Sequence, residues 1–167
     1  MAINIRKATF DDIPALMRLF ERAKGIMRAS GNLHQWGVGY PSEAVMRADI
    51  GLGVCYVVTG ESGGEIEATM AFIPGPDPTY SYIEGGEWLD DAPYCVIHRI
   101  AVAAPGKGYA RRLLDWAFER TGTVRIDTHR DNVIMRHILH NYGFKQCGVI
   151  YLANGEPRDA YQLTMKK

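Results

Sequence analysis

The chain has 167 residues, enough for one domain with a core of its own, so neither disulfides nor a structural metal is needed to hold it. Lys and Arg number 19 and so do Asp and Glu; the resulting zero net charge argues against a nucleic-acid binder that works by neutralising phosphates. With 47% hydrophobic and 23% charged residues the composition is globular, and no apolar run reaches the roughly 18 residues a membrane span needs.

The start, MAINIRKATF, has no apolar stretch, so no secretory signal and a cytoplasmic location are expected. Cys55, Cys95 and Cys147 are odd in number and widely spaced, which fits reduced thiols. Ile3 and Ile5 alternate with polar residues and predict a short first strand. Thr9, Asp11 and Asp12 place capping and acidic residues at a helix start. Ile13, Leu16, Met17, Phe20 and Ala23 follow at helical spacing, with Pro14 tolerable in the first turn. A second helix is expected over Ser42 to Ile50.

Val54 to Thr59 and Glu65 to Ile73 read as a hairpin turning at Ser62-Gly63-Gly64. Residues 74 to 93 form a long connection with four prolines, read either as carrying a small strand at Tyr80 to Ile83 or as a functional lid. Tyr94 to Ala103 is nearly all apolar, broken by His98 and Arg99, and predicts a central strand covered on both faces. Ala110, Leu113, Leu114, Ala117 and Phe118 form one helical stripe that Gly122 is expected to end. Val124 to Thr128 is a further strand. Met135, Ile138, Leu139 and Tyr142 line a last helix stopped by Gly143. Phe144 to Leu152 and Arg158 to Met165 flank Asn154-Gly155, a strong hairpin signal. The order implies a single α/β domain over residues 1–167: antiparallel strands first, then a parallel strand–helix–strand core with a right-handed crossover, then a closing hairpin.

The most informative stretch joins the central strand to a helix: Val102-Ala-Ala-Pro-Gly106-Lys107-Gly108-Tyr109-Ala110-Arg111. Small residues at Gly106, Gly108 and Ala110 would let a ligand approach the backbone, and free amides at the helix start suit a phosphate or pyrophosphate. The alternative is a tight turn whose glycines serve geometry alone. The stretch is neither a Walker A loop, having no Ser or Thr after Gly-Lys, nor G-x-G-x-x-G, because Arg111 fills the third glycine position.

These residues resemble the pyrophosphate loop, Arg/Gln-x-x-Gly-x-Gly/Ala, of the GNAT superfamily of N-acetyltransferases. Gly108-x-Ala110 carries the fit, supported by the preceding Ile100-Ala101-Val102, by Asn132 opening the next helix, by Gly143-Phe144 closing it, and by the final hairpin. Two positions depart: Pro105 stands in the Arg/Gln place, and Leu139 stands where many members carry a tyrosine that protonates the departing thiolate. Tyr142 is near that place but belongs to the apolar stripe.

The resemblance implies acetyl transfer from acetyl-CoA, as cosubstrate, to a primary amine of a small molecule or peptide, with no metal. It implies that pantetheine pairs with the strand at Ile100, Ala101 and Val102. Amides from Gly106 through Lys107, Gly108, Tyr109, Ala110 and Arg111 would take the pyrophosphate, Asn132 would contact the coenzyme arm, and a bulge near Ile100 would supply an N–H for the oxyanion. An alkyl ammonium must lose a proton before it attacks, and the candidate acid–base groups are Glu84, His98, Asp127, His129 and Tyr142. Trp36, Tyr40, Tyr82 and Trp88 are candidates for holding the acceptor by cation–π contact, or else they plug core edges. His137 and His140 lie one turn apart without a third metal ligand. A binding-only sensor of acyl-CoA with the same fold is the rival reading. The sheet's end strands could pair with a second copy, so a homodimer is admitted.

Overall fold

The computed structural model describes residues 2–60 and 63–165, so Ser62 of the expected first hairpin turn lies outside the described residues. The elements run β1 (Ile3–Lys7), α1 (Ile13–Ala29), α2 (Glu43–Gly51), β2 (Cys55–Gly60), β3 (Gly63–Pro74), β4 (Cys95–Val102), α3 (Tyr109–Phe118), β5 (Thr123–Thr128), α4 (Val133–Tyr142), β6 (Lys145–Tyr151) and β7 (Pro157–Thr164). Seven strands form one sheet in the order β1-β2-β3-β4-β5-β7-β6. Every neighbouring pair is antiparallel except β4 and β5, the expected parallel unit with α3 as its crossover.

Strand alternation divides the core between two faces. Val57 packs with Leu16, Phe20 and Ala23 of α1 and Met46 of α2, while its neighbour Val58 packs with Leu113, Leu114 and Ala117 of α3. Beyond α1, the connection between β3 and β4 covers the rest of that face, burying Tyr80 against Val96, Ile150 and Ala160. This connection holds no strand at Tyr80 to Ile83. A 3₁₀ turn at Pro78–Tyr80 and a single bridge from Glu84 to Val149 replace it, because Asp77 and Pro78 start a turn that swings the Tyr80 ring inward. No helix of the described residues is long and apolar enough to cross a membrane.

Helix ends follow the local chemistry, with one correction. The Ser42 hydroxyl accepts the Val45 N–H at 3.2 Å to start α2, and Gly143, at φ 117°, ends α4 in the left-handed region. Gly122 does not end α3. That helix closes at Glu119, the N–H groups of Arg120 and Thr121 fold back onto the Ala117 carbonyl, and Gly122 leads directly into β5.

Two irregularities of β4 shape the centre of the molecule. It pairs with β5 only at Cys95 opposite Val124 and Val96 opposite Arg125, after which the two strands part. On its other side His98 faces Ala71 and Ala101 faces Thr69, so Arg99 and Ile100 share the place opposite Met70. This is a β-bulge with one extra residue, Arg99, at φ 52°. Its effect is legible in the packing: Ile97 and Ile100 both join the α3 core, although an odd separation would put them on opposite faces in a regular strand. Ala101 is returned to the α1 core.

Candidate active site

The bulge is held from the side by Arg99. Its guanidinium makes a two-pronged pair with Asp49 of α2, at 2.7 and 2.9 Å, and donates to the Tyr40 hydroxyl at 3.2 Å. An arginine in the left-handed region is uncommon and costs roughly 1–3 kcal/mol, which this pair offsets. The bulge thus sits at the mouth of the gap between β4 and β5.

Two cavities meet the same strand. The first, about 640 Å³, is walled by Ile97 to Ile100 of β4, Ile126 to Thr128 of β5, the 34–40 loop, Asp77 and Thr79, and the β6–β7 turn. The second, about 630 Å³, takes up the strand at Val102, two residues past the Ile100 at which the first stops, and continues along the glycine turn to Arg111 and across to Val133, Ile134, His137 and Ile138 of α4.

On the floor of the first cavity lies a chain of polar groups. His98 Nε2 is 2.9 Å from Asp77 Oδ2, and His98 Nδ1 is 3.9 Å from Asp127 Oδ2. The Tyr80 hydroxyl donates to that Asp127 oxygen at 2.6 Å. Asp77 is itself fixed: its Oδ1 accepts the Thr79 N–H at 2.9 Å and the Thr79 hydroxyl at 2.7 Å, and its own N–H donates to the Tyr94 hydroxyl at 2.9 Å. The hydrogen bond from His98, followed by those from Thr79, pulls the Asp77 carboxyl down to about 2. Burial, followed by the Asp127 charge, pushes the Tyr80 hydroxyl well above its ordinary value, so it stays a donor.

Sequence reasoning singled out His98, Asp127, Trp36 and Tyr40, and the fold brings all four to this cavity. Trp36 also packs edge-on against Phe20, 5.6 Å between ring centres. The other acid–base and acceptor candidates line neither cavity. Glu84 is exposed and bonded to the Tyr151 hydroxyl, beside which Tyr82 stacks. Trp88 donates to the Tyr80 carbonyl and lies beneath the Arg125 guanidinium at 4.2 Å, a plug at the sheet surface. Tyr142 donates to Asp115 at 2.7 Å and stacks on Phe118. His129 accepts the Asp131 N–H at 3.0 Å through Nδ1, and burial, then the Arg158 charge, lowers its proton affinity. Asp77 was not anticipated. Its one local signal is Asp-Pro-Thr, an N-cap pattern, and its tie to His98 spans 21 residues of chain.

The second cavity holds the glycine turn. Gly106 and Gly108 take φ 80° and 76°, with nothing within 4 Å of an added Cβ. The first intrahelical bond of α3 runs from Arg112 N–H to the Gly108 carbonyl, so the N–H groups of Tyr109, Ala110 and Arg111 have no intrahelical partner. Beyond Val96 the β5 side of β4 pairs with no strand among the described residues. An unpaired strand edge leading to a helix N-terminus with charged Lys107 and Arg111 beside it fits an elongated ligand that carries amides at one end and phosphates at the other. Asn132, expected on the coenzyme arm, caps α4 by accepting the Met135 N–H at 3.1 Å and donates to Gln35 at 2.9 Å, on the side of the first cavity. Among the described residues no three His, Cys, Asp or Glu side chains gather as a metal site, and the His137 ring pairs with Asn141.

A mixed sheet opened between its two parallel strands, bulged on one and followed by a glycine turn into a helix, is an architecture the chain shares with acetyltransferases. No protein-family model and no curated protein matches the sequence. Solved structures do: a GNAT family acetyltransferase from Streptococcus agalactiae is 33% identical over 99% of this chain and 96% of its own, with a TM-score of 0.88. The ribosomal-protein-S18-alanine N-acetyltransferase of Escherichia coli, 15% identical over 99% of this chain and 96% of its own, shares the fold at a TM-score of 0.65. So does a chain of the NatC complex bound to a Gag peptide and CoA, 14% identical over 99% and 100%, at 0.64. The chain belongs to the GNAT family of acetyltransferases.

Proposed function

We propose that the protein transfers an acetyl group from acetyl-CoA to a primary amine of a small molecule or peptide. The observation that carries this reading is that one strand, β4, walls both cavities, presenting His98 to the first and Val102 to the second, with the bulge between. The coenzyme's pantetheine amides would pair with the free edge at Ile100 to Val102, and its pyrophosphate would meet the N–H groups from Gly106 to Arg111. The bound coenzyme supplies the activated acetyl group. His98 accepts the proton that frees the amine's lone pair, and main-chain N–H at Arg99–Ile100 faces the developing oxyanion. The CoA carried by the NatC structure supports the choice of donor.

Thiol release from acetyl-CoA, followed with a panel of amines, tests the reading. His98→Gln should lower kcat on the order of 100-fold while acetyl-CoA still binds. A folded protein that does not bind the coenzyme would refute it. One observation favours a binding-only role: Leu139, fully buried, stands where many family members carry the acid. Coenzyme binding without turnover of any amine would select that reading.

A further inference from the structure

Because Asp77 is ionised, its Oδ2 can only accept, so the proton between it and His98 resides on Nε2. In the neutral form of the imidazole Nδ1 is then the bare nitrogen, on a side chain that lines the first cavity. Asp127 Oδ2 lies 3.9 Å from that nitrogen, too far for either to satisfy the other. Both atoms are acceptors, and the Tyr80 hydroxyl also donates to the Asp127 oxygen. A nitrogen bearing two or more hydrogens can stand at roughly 2.9 Å from each of them at once.

The remaining fixed charges of the wall are committed elsewhere. Arg99 is paired with Asp49. Arg158 is paired with Glu156 at 3.2 Å and donates to the Pro157 and Gln35 carbonyls at 2.8 and 2.9 Å. Among the described residues the floor thus keeps two carboxylates, Asp77 and Asp127, paired with no lysine or arginine, and both guanidiniums of the wall are already engaged.

Resting on the transferase reading above, we infer that the acceptor is an aliphatic amine bound as its ammonium ion between Asp127 and His98, with no carboxylate on the carbon beside the reacting nitrogen. The ammonium donates one N–H to Asp127 and another to His98 Nδ1. His98 takes that proton, the lone pair attacks the thioester carbonyl carbon, and the C–S bond breaks. The second proton shed by nitrogen ends on the departing sulfur, and the one on His98 returns to solvent, leaving amide, thiol and one proton. Asp77 does not touch the acceptor; it is a positioning residue that fixes which imidazole nitrogen is bare. An α-amino acid would bring its carboxylate within a few ångströms of Asp127, and like charges in a partly enclosed site repel strongly.

The test compares amines with the amino acids that differ from them by one carboxylate: tyramine with tyrosine, and isobutylamine with valine. Calorimetric titration of the protein saturated with CoA should show at least one of the two amines binding on the order of 100-fold tighter than its amino acid. In Asp127→Asn, where the amide oxygen can still accept from Tyr80, the amine should weaken at least about 10-fold and the ratio should collapse toward one. With acetyl-CoA the same substitution should act mainly on KM, His98→Gln mainly on kcat. An amino acid that binds as well as its amine, no binding by either amine, or an unchanged ratio in Asp127→Asn would overturn the ammonium seat. Failure of CoA itself to bind would instead sink the transferase reading beneath it.

Discussion

Asp77 and His98 form a hydrogen-bonded pair, 2.9 Å apart, on the floor of the first cavity, and their coupling has a consequence for stability. The Asp77 carboxyl, held at about 2 by the His98 and Thr79 hydrogen bonds, titrates below an unfolded Asp near 3.9. Between those values the unfolded chain binds more protons than the folded one, so stability rises with pH through the window. The contribution is present in full above about pH 4 and fades as pH falls through about 2. Urea midpoints measured from pH 5 to pH 3 should drop more steeply for the native protein than for Asp77→Asn, and parallel curves would show the bond to be absent in solution. A second residue-scale expectation concerns Gly108. Its φ of 76° is strained for any other residue, by roughly 1 kcal/mol, and Gly108→Glu adds a carboxylate where the diphosphate would lie. The variant should fold with a slightly lower midpoint and lose acetyl-CoA binding in a direct titration. Retained binding would place the phosphates elsewhere.

The element that decides the architecture is β4, and its bulge depends on one side-chain pair. Arg99 and Asp49 are both largely buried, and removing one partner leaves the other charge unpaired inside the protein. Arg99→Ala should therefore destabilise the fold by about 3 kcal/mol in denaturant unfolding, since alanine keeps the Cβ that strains a positive φ and gives no relief there. A change below about 1 kcal/mol would mean the bulge is maintained by packing alone. Elements of this size were largely readable from sequence, because apolar spacing and caps report on neighbours a few residues away: Gly143 at the end of α4 and Asn154-Gly155 at the last turn fall where expected. Gly122 misled, because a glycine after a helix need not be the residue that ends it. The bulge was expected near Ile100 only through family resemblance, since nothing in Arg99 itself announces a positive φ. The site was half legible. His98 and Asp127 lie on strands whose ends could be placed, whereas Asp77 reaches His98 only because the 74–93 connection folds back across the sheet. Trp88, open in the sequence between holding the acceptor and plugging a core edge, lies against Arg125 and Tyr80.

At the scale of the whole molecule, the second cavity, the groove proposed for the coenzyme, is assembled from α3, α4 and β4, whose side chains belong to one core: Leu113 and Leu114 of α3, Leu139 of α4 and Ile97 of β4 pack together. Unfolding any of these elements destroys the groove, so a ligand bound there is linked to global stability rather than to a local loop. At a concentration about 100 times its dissociation constant, such a ligand adds roughly 2.7 kcal/mol. For a chain of this size each kcal/mol moves the melting temperature by about 2–4 °C, so acetyl-CoA should raise it by about 5–10 °C. The rise should follow the logarithm of coenzyme concentration and vanish in Gly108→Glu. His98→Gln should show it undiminished, because His98 lies in the other cavity. This separation is the reason to measure both variants. A coenzyme that raised the melting temperature of Gly108→Glu as much as that of the native chain would be binding outside the glycine turn, and the division of the molecule into a donor groove and an acceptor cavity on either side of the bulge would fall with it.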